Sequence, residues 1–164
     1  MMHYKAPKDY SGIDYDVCVF LAGSIEMDTA ERWQVLVAKA IESTRTLVLN
    51  PRRDDWDSSW TTRTSNKQFV EQVSWEHDGL HNSDIIFMYF DPKTKSPITL
   101  LELGLMADSG KLIVCCADDF WRKGNVEYIC EEYGISLYTK MEDAIKELKE
   151  RIKEYASMDD QYRM

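Results

Sequence analysis

The chain has 164 residues, with 20 Lys and Arg against 29 Asp and Glu, and a formal net charge of −9. That length suits one domain with a real core, and the acidic balance excludes the basic face that a polymeric nucleic acid requires. No apolar run approaches the roughly 20 residues of a membrane helix. The polar opening MMHYKAPKDYSGIDYD lacks the apolar core of a secretory signal, and Cys18, Cys115, Cys116 and Cys130 form no CxxC pair. A cytoplasmic protein with reduced, buried thiols and no membrane partner is expected.

In chain order, DVCVFLA (16–22) predicts a first buried strand. Asp28 to Glu31 have the spacing of a capping box. Trp33, Leu36, Val37, Ala40 and Ile41 then recur at helical spacing. TLVLN (46–50) predicts the second strand, ended by Pro51. The segment PRRDDWDSSWTTRTSN has neither period and is long for a connection; such loops are often functional. A helix is predicted over 67–82, with Phe69, Val70, Val73 and Leu80 on one side, and DIIFMYF (84–90) is the third strand. SPITLLELGLMADSGK (96–111) gives a leucine-rich helix, and LIVCCA (112–117) the fourth strand, with Cys115 and Cys116 on opposite faces. Residues 124–133 read as a helix, ISLY (135–138) as a fifth strand, and 141–155 as an amphipathic helix rich in Lys/Glu pairs. Unalternating apolar strands between helices predict a five-stranded parallel sheet covered on both faces, in a single domain with its core at about 16–140. Ligands of such sheets bind at the carboxyl ends of the strands.

Two acids sit where apolar residues are expected. Ser96-Pro97 predicts a helix start with Ser96 as N-cap. Glu102 then shares a face with Ile98 and Leu105, and that face should look at the sheet. Glu76 falls three residues after Val73 and four before Leu80. A carboxylate on an inward face is costly unless paired or functional. Two of them on successive helices make a candidate catalytic pair, of the kind that serves glycosidic-bond chemistry. Equally, each acid caps a neighbouring element or pairs with an arginine. Gly23-Ser24 lets backbone approach a ligand but is not GxGxxG. Arg52 and Arg53 either grip a phosphate or base carbonyl through forked donors, or pair with Asp54, Asp55 and Asp57. Trp56 and Trp60 either stack on a base as a lid or anchor the long loop. His77 and His81, four apart beside Glu76, lack the HExxH order and a third ligand, and read as polar helix surface rather than a metal site.

FLAGSI (20–25), LNPRRDDW (49–56), WEHDGLHNSDIIFMYF (75–90), SPITLLELG (96–104) and RKGNVEYIC (122–130), taken in order, resemble the nucleoside 2-deoxyribosyltransferase-like family. The resemblance implies a flavodoxin-like (Rossmann-like) three-layer α/β sandwich and cleavage of the N-glycosidic bond of a deoxynucleoside, without metal or cofactor. It places the nucleophile at Glu102 and the assisting acid at Glu76, eight residues before Asp84. The substrate-binding set it implies is Gly23, Ser24, Arg53, Asp54, Ser96 and Asn125. It also implies a homo-oligomer in which Asn125 completes a neighbouring site. An ionised nucleophile should have donors around it, with Tyr89 as a candidate. Three positions depart from the pattern. Ser96 stands where well-known transferases carry an acid; related monophosphate hydrolases use a serine there to bind the 5′-phosphate. Those hydrolases have a basic residue where this chain has Glu26, and Val19 replaces an aromatic found in some members. Transfer of deoxyribose to a second base is the expected activity. The alternatives are an N-glycoside hydrolase acting on a nucleoside or its 5′-monophosphate, and a non-catalytic nucleotide sensor.

Overall fold

The computed structural model describes residues 2–25, 32–42 and 45–162, with the side chains of 159–162 excepted. Its centre is a six-stranded parallel sheet built from β1 (Met2–Lys5), β2 (Val17–Gly23), β3 (Thr46–Asn50), β4 (Ile85–Phe90), β5 (Leu112–Cys116) and β6 (Ser136–Tyr138), in the order β1-β3-β2-β4-β5-β6. The helices are α1 (Trp33–Ala40), α2 (Lys67–Asn82), α3 (Pro97–Met106), α4 (Lys123–Tyr133) and α5 (Met141–Tyr162). Successive strand residues point to opposite faces. Phe20, Leu49, Met88 and Phe90 meet α2, α3 and α4 through Trp75, Leu80, Leu103, Met106 and Val126. Val19, Leu21, Val48 and Phe87 meet α1 and α5 through Trp33, Val37, Ala144 and Leu148. Helices on both faces explain why β2 to β5 read as unbroken apolar runs. This is the flavodoxin-like, three-layer arrangement.

The sheet has one strand more than the five expected. Met2–Lys5 pairs in parallel with β3, His3 opposite Val48 and Lys5 opposite Asn50. Its residues are only half-buried, as an edge strand allows, and its polar sequence carries no strand signal. The chain then crosses α2, where Trp75 Nε1 donates to Lys8 O at 2.9 Å and the Tyr10 ring meets Trp75 edge-on.

Three helices also turn differently from the expected faces. In α1, Trp33, Val37 and Ile41 are buried but Leu36 is exposed. In α2, capped by Asn66 Oδ1 accepting from Phe69 N at 2.9 Å, the inward residues are Gln72, Trp75, Gly79 and Leu80, whereas Val70 and Val73 face out. In α3 the inward residues are Thr99, Leu103 and Met106, while Ile98, Leu101 and Leu105 are 60%, 67% and 54% exposed. A helix that is apolar all round has no periodicity from which to choose a face. The expected capping box at Asp28 to Glu31 lies outside the described residues, as does Glu26.

All four cysteines are free and buried. Burial pushes the Cys18 and Cys116 thiols up to about 12, and those of Cys115 and Cys130 up to about 11. No helix among the described residues is long and apolar enough to cross a membrane.

Candidate active site

The strand order reverses at β2, which has β3 on one side and β4 on the other. The carboxyl ends of β2 and β4 therefore border the crevice where parallel α/β sheets hold ligands. Gly23 closes β2 at φ 146°, and a side chain there would collide with the Tyr89 backbone and the Trp33 ring. That contact lets Ser24 N donate to Tyr89 O at 3.0 Å.

Beyond Gly23 the rim is built of hydroxyls. Ser24 Oγ lies 2.5 Å from Ser96 Oγ and 2.9 Å from Thr94 Oγ1, and the Thr94 and Ser96 oxygens are 2.7 Å apart. Asp91 N donates to Ser24 Oγ and Thr94 Oγ1 donates to Asp91 O, both at 2.9 Å. Each hydroxyl has one proton, so three protons are shared among the three mutual contacts and the carbonyls of Asp91 and Tyr89, the latter 3.4 Å from Ser24 Oγ. All three residues are buried. Ser96 occupies the N-cap position of α3 with φ 48° and ψ 53°, and its hydroxyl does not cap the helix as expected. The ring of hydroxyls instead holds this non-glycine residue in the left-handed region, at a conformational cost.

Glu102 projects from α3 next to the inward Leu103, half-buried. Burial, reinforced by the charge of Glu76, pushes its carboxyl up to about 8. Glu76 is also half-buried on the inward side of α2. Burial raises its pKa, opposed by the bond it accepts from Gln72 Nε2 at 2.7 Å. The two acids from successive helices thus share one electrostatic site. Among the described residues no hydrogen-bond donor reaches Glu102. Tyr89, expected as a donor, packs its ring 5.4 Å from that of Trp33, in the core on the α1 and α5 side.

The long loop after β3 contributes the basic groups. The Arg53 side chain is 6% exposed and forks onto Asp55 at 2.9 and 3.1 Å, with Glu71 at 3.5 Å and the Trp60 ring 5.3 Å away. Asp54 turns to Lys5 on β1 at 2.6 Å. Trp56 and Trp60 pack edge to face at 5.2 Å, so the pair braces the loop and Trp60 also lies beside Arg53. His77 and His81 stack at 4.2 Å on the exposed side of α2. Among the described residues no group of three or more His, Cys, Asp or Glu gathers as metal ligands. Asn125 lines a different hollow, a cleft of about 410 Å³ between α3 and α4, with Leu100, Leu103, Gly104, Trp121 and Ile129.

The model of the family described as nucleoside 2-deoxyribosyltransferase like matches residues 16–120. The chain belongs to that family. The nucleoside 2-deoxyribosyltransferase-like match contains Gly23, Ser24, Arg53, Asp54, Glu76, Ser96 and Glu102, and ends before Asn125. Among solved structures, the chain is similar to a crystal structure of a conserved protein from Enterococcus faecalis V583, with a TM-score of 0.59 and 14% identity over 82% of this chain and 98% of that one. That likeness concerns the fold. No curated protein matches the chain.

Gln72 and Thr94 were not among the residues singled out from the sequence. Gln72 stands four residues before Glu76, and Thr94 two before Ser96. Their spacing was legible, but an amide and a hydroxyl on polar stretches signal nothing until their partners are known.

Proposed function

We propose that the protein transfers deoxyribose between nucleobases through a glycosyl-glutamate intermediate. The observation that carries this reading is two half-buried carboxyls, Glu102 and Glu76, on successive helices that cover the same face of the sheet, with the charge of Glu76 acting on Glu102. Glu102, once ionised, attacks C1′ of the sugar as the C1′–N bond breaks, and the departing base keeps the bonding electrons. Glu76 supplies the proton that neutralises the base. A nitrogen of the second base then attacks C1′, the C1′–O bond breaks with its electrons returning to the Glu102 carboxylate, and the N–H proton of that base passes to Glu76. Gly23, Arg53 and Asp54 edge the space for sugar and base. A second copy of the chain presents Asn125 to the site, a reading supported by the exposed Ile98, Leu101 and Leu105 on the helix that carries Glu102.

The hydroxyl ring weighs against a 5′-phosphate. A phosphate needs donors, and the protons of Ser24, Thr94 and Ser96 are committed to one another and to Asp91 O. The test is chromatography of products from each deoxynucleoside and deoxynucleoside monophosphate, with and without a second free base. A new deoxynucleoside formed only with the second base, and absent with Glu102→Ala, supports transfer. Free base and sugar regardless of acceptor would replace it with hydrolysis. Tight nucleotide binding without any product would replace it with a sensor.

A further inference from the structure

We propose that Gln72 is a positioning residue for Glu76, fixing one carboxyl oxygen as a hydrogen-bond acceptor so that any proton Glu76 carries sits on the other. The inference rests on the reading of Glu76 as the acid of the reaction. Gln72 is 6% exposed on the inward face of α2, one turn before Glu76. Its Nε2 donates to Pro51 O at 2.8 Å and to Glu76 Oε1 at 2.7 Å. An amide nitrogen has two protons, and each is assigned. Among the described residues the buried Gln72 Oε1 has no partner, an unfavourable state for a carbonyl.

That orphan oxygen reveals what the amide is kept for. Turning the amide over would set Oε1 against Pro51 O, which can only accept, and would take the N–H donor away from that carbonyl. The observed orientation is therefore the one the surroundings enforce. It has two consequences. Glu76 Oε1 always faces a donor, so protonation is directed to Oε2, which is the oxygen left to exchange a proton with the base. The end of β3 is tied through Pro51 to the middle of α2, so the loop bearing Arg52 and Arg53 starts from a point fixed relative to Glu76. Neither follows from an inward glutamine that merely fills space.

The test compares Gln72→Met, which keeps the length but has no donor, with Gln72→Lys, which keeps a donor. Glu76 is followed by carboxyl carbon-13 resonance against pH, its signal assigned by its loss in Glu76→Gln. Turnover of deoxynucleosides is measured on the same samples. Gln72→Met should move the Glu76 midpoint up and Gln72→Lys should move it down. In Gln72→Met kcat should fall roughly tenfold to hundredfold, with KM changed by less than about threefold. Equal Glu76 midpoints in folded wild type and Gln72→Met would overturn the proposal. If Gln72→Met does not fold, an unmoved midpoint in Gln72→Lys overturns it instead. Midpoints that shift as expected in a protein without turnover would sustain the positioning role and reject the transferase reading.

Discussion

On the proposed reading, the state of Glu102 decides whether the site works. A carboxyl held up to about 8 is mostly protonated at neutral pH, yet a nucleophile must be ionised. On that reading, the kcat/KM of the free enzyme should therefore rise with pH as Glu102 ionises and fall again once Glu76 has also lost its proton, the two acids titrating as a pair. A profile already flat from pH 6 would contradict this. Glu102→Gln should lower turnover by at least about a thousandfold at every pH. The same group governs stability. The folded protein holds the Glu102 proton more tightly than the unfolded chain, whose carboxyl titrates near 4.5, so stability is lost as pH rises from about 4.5 to about 8. Glu102→Gln removes that loss, and its Tm should exceed the wild type's at pH 9 but not at pH 4. Both acids were legible because a carboxylate among leucines and valines is chemically out of place. Both acids are indeed half-buried, but not by the neighbours used to place them: Ile98, Leu105 and Val73 all face outward. Gln72 and Thr94 escaped notice because their roles lie in Pro51 O, Glu76, Ser24 and Asp91, partners scattered along the chain.

At the scale of elements, close approach matters more than propensity. A Cβ on Gly79 would stand 2.6 Å from the Phe20 ring, so this glycine sets how near α2 comes to β2. Gly79→Ala favours the helix by up to about 1 kcal/mol in propensity. It should nonetheless destabilise the protein by about 1–3 kcal/mol through overpacking, as read by urea unfolding. The lifted helix would also move Glu76, so turnover should fall in the same variant. Strands β2 to β5 were readable as short apolar runs between turn signals. β1 was not, because an edge strand of His, Tyr and Lys is defined by its pairing with β3 and not by its composition. The orientation of α3 was hidden for the opposite reason, an excess of apolar positions, and only contact with the sheet selects Thr99, Leu103 and Met106.

For the whole molecule, the outward apolar row of α3 is the feature a lone chain leaves unexplained. Ile98, Leu101 and Leu105 lie on the helix that carries Glu102, and other residues of that helix, Leu100, Leu103 and Gly104, line the cleft that contains Asn125. With a second copy seated there, light scattering should give at least twice the 19.2 kDa mass of one chain. Leu101→Glu should reduce the mass to one chain and cut turnover with it. A wild-type protein that is active as a monomer would remove Asn125 from the proposed site. The layered fold was foreseeable from the alternation of elements, whereas assembly depends on which apolar residues remain outside once the core is filled.

The sealed thiols have a practical corollary. Four buried sulfurs, each held protonated at neutral pH, make the native chain nearly silent to maleimide dyes. A single introduced cysteine at exposed Ser58, between Trp56 and Trp60, should take up one dye per chain against almost none in the wild type. Quenching by the adjacent indoles would then turn the loop after β3 into an optical reporter, brightening or dimming as a nucleoside arrives, on protein otherwise left intact.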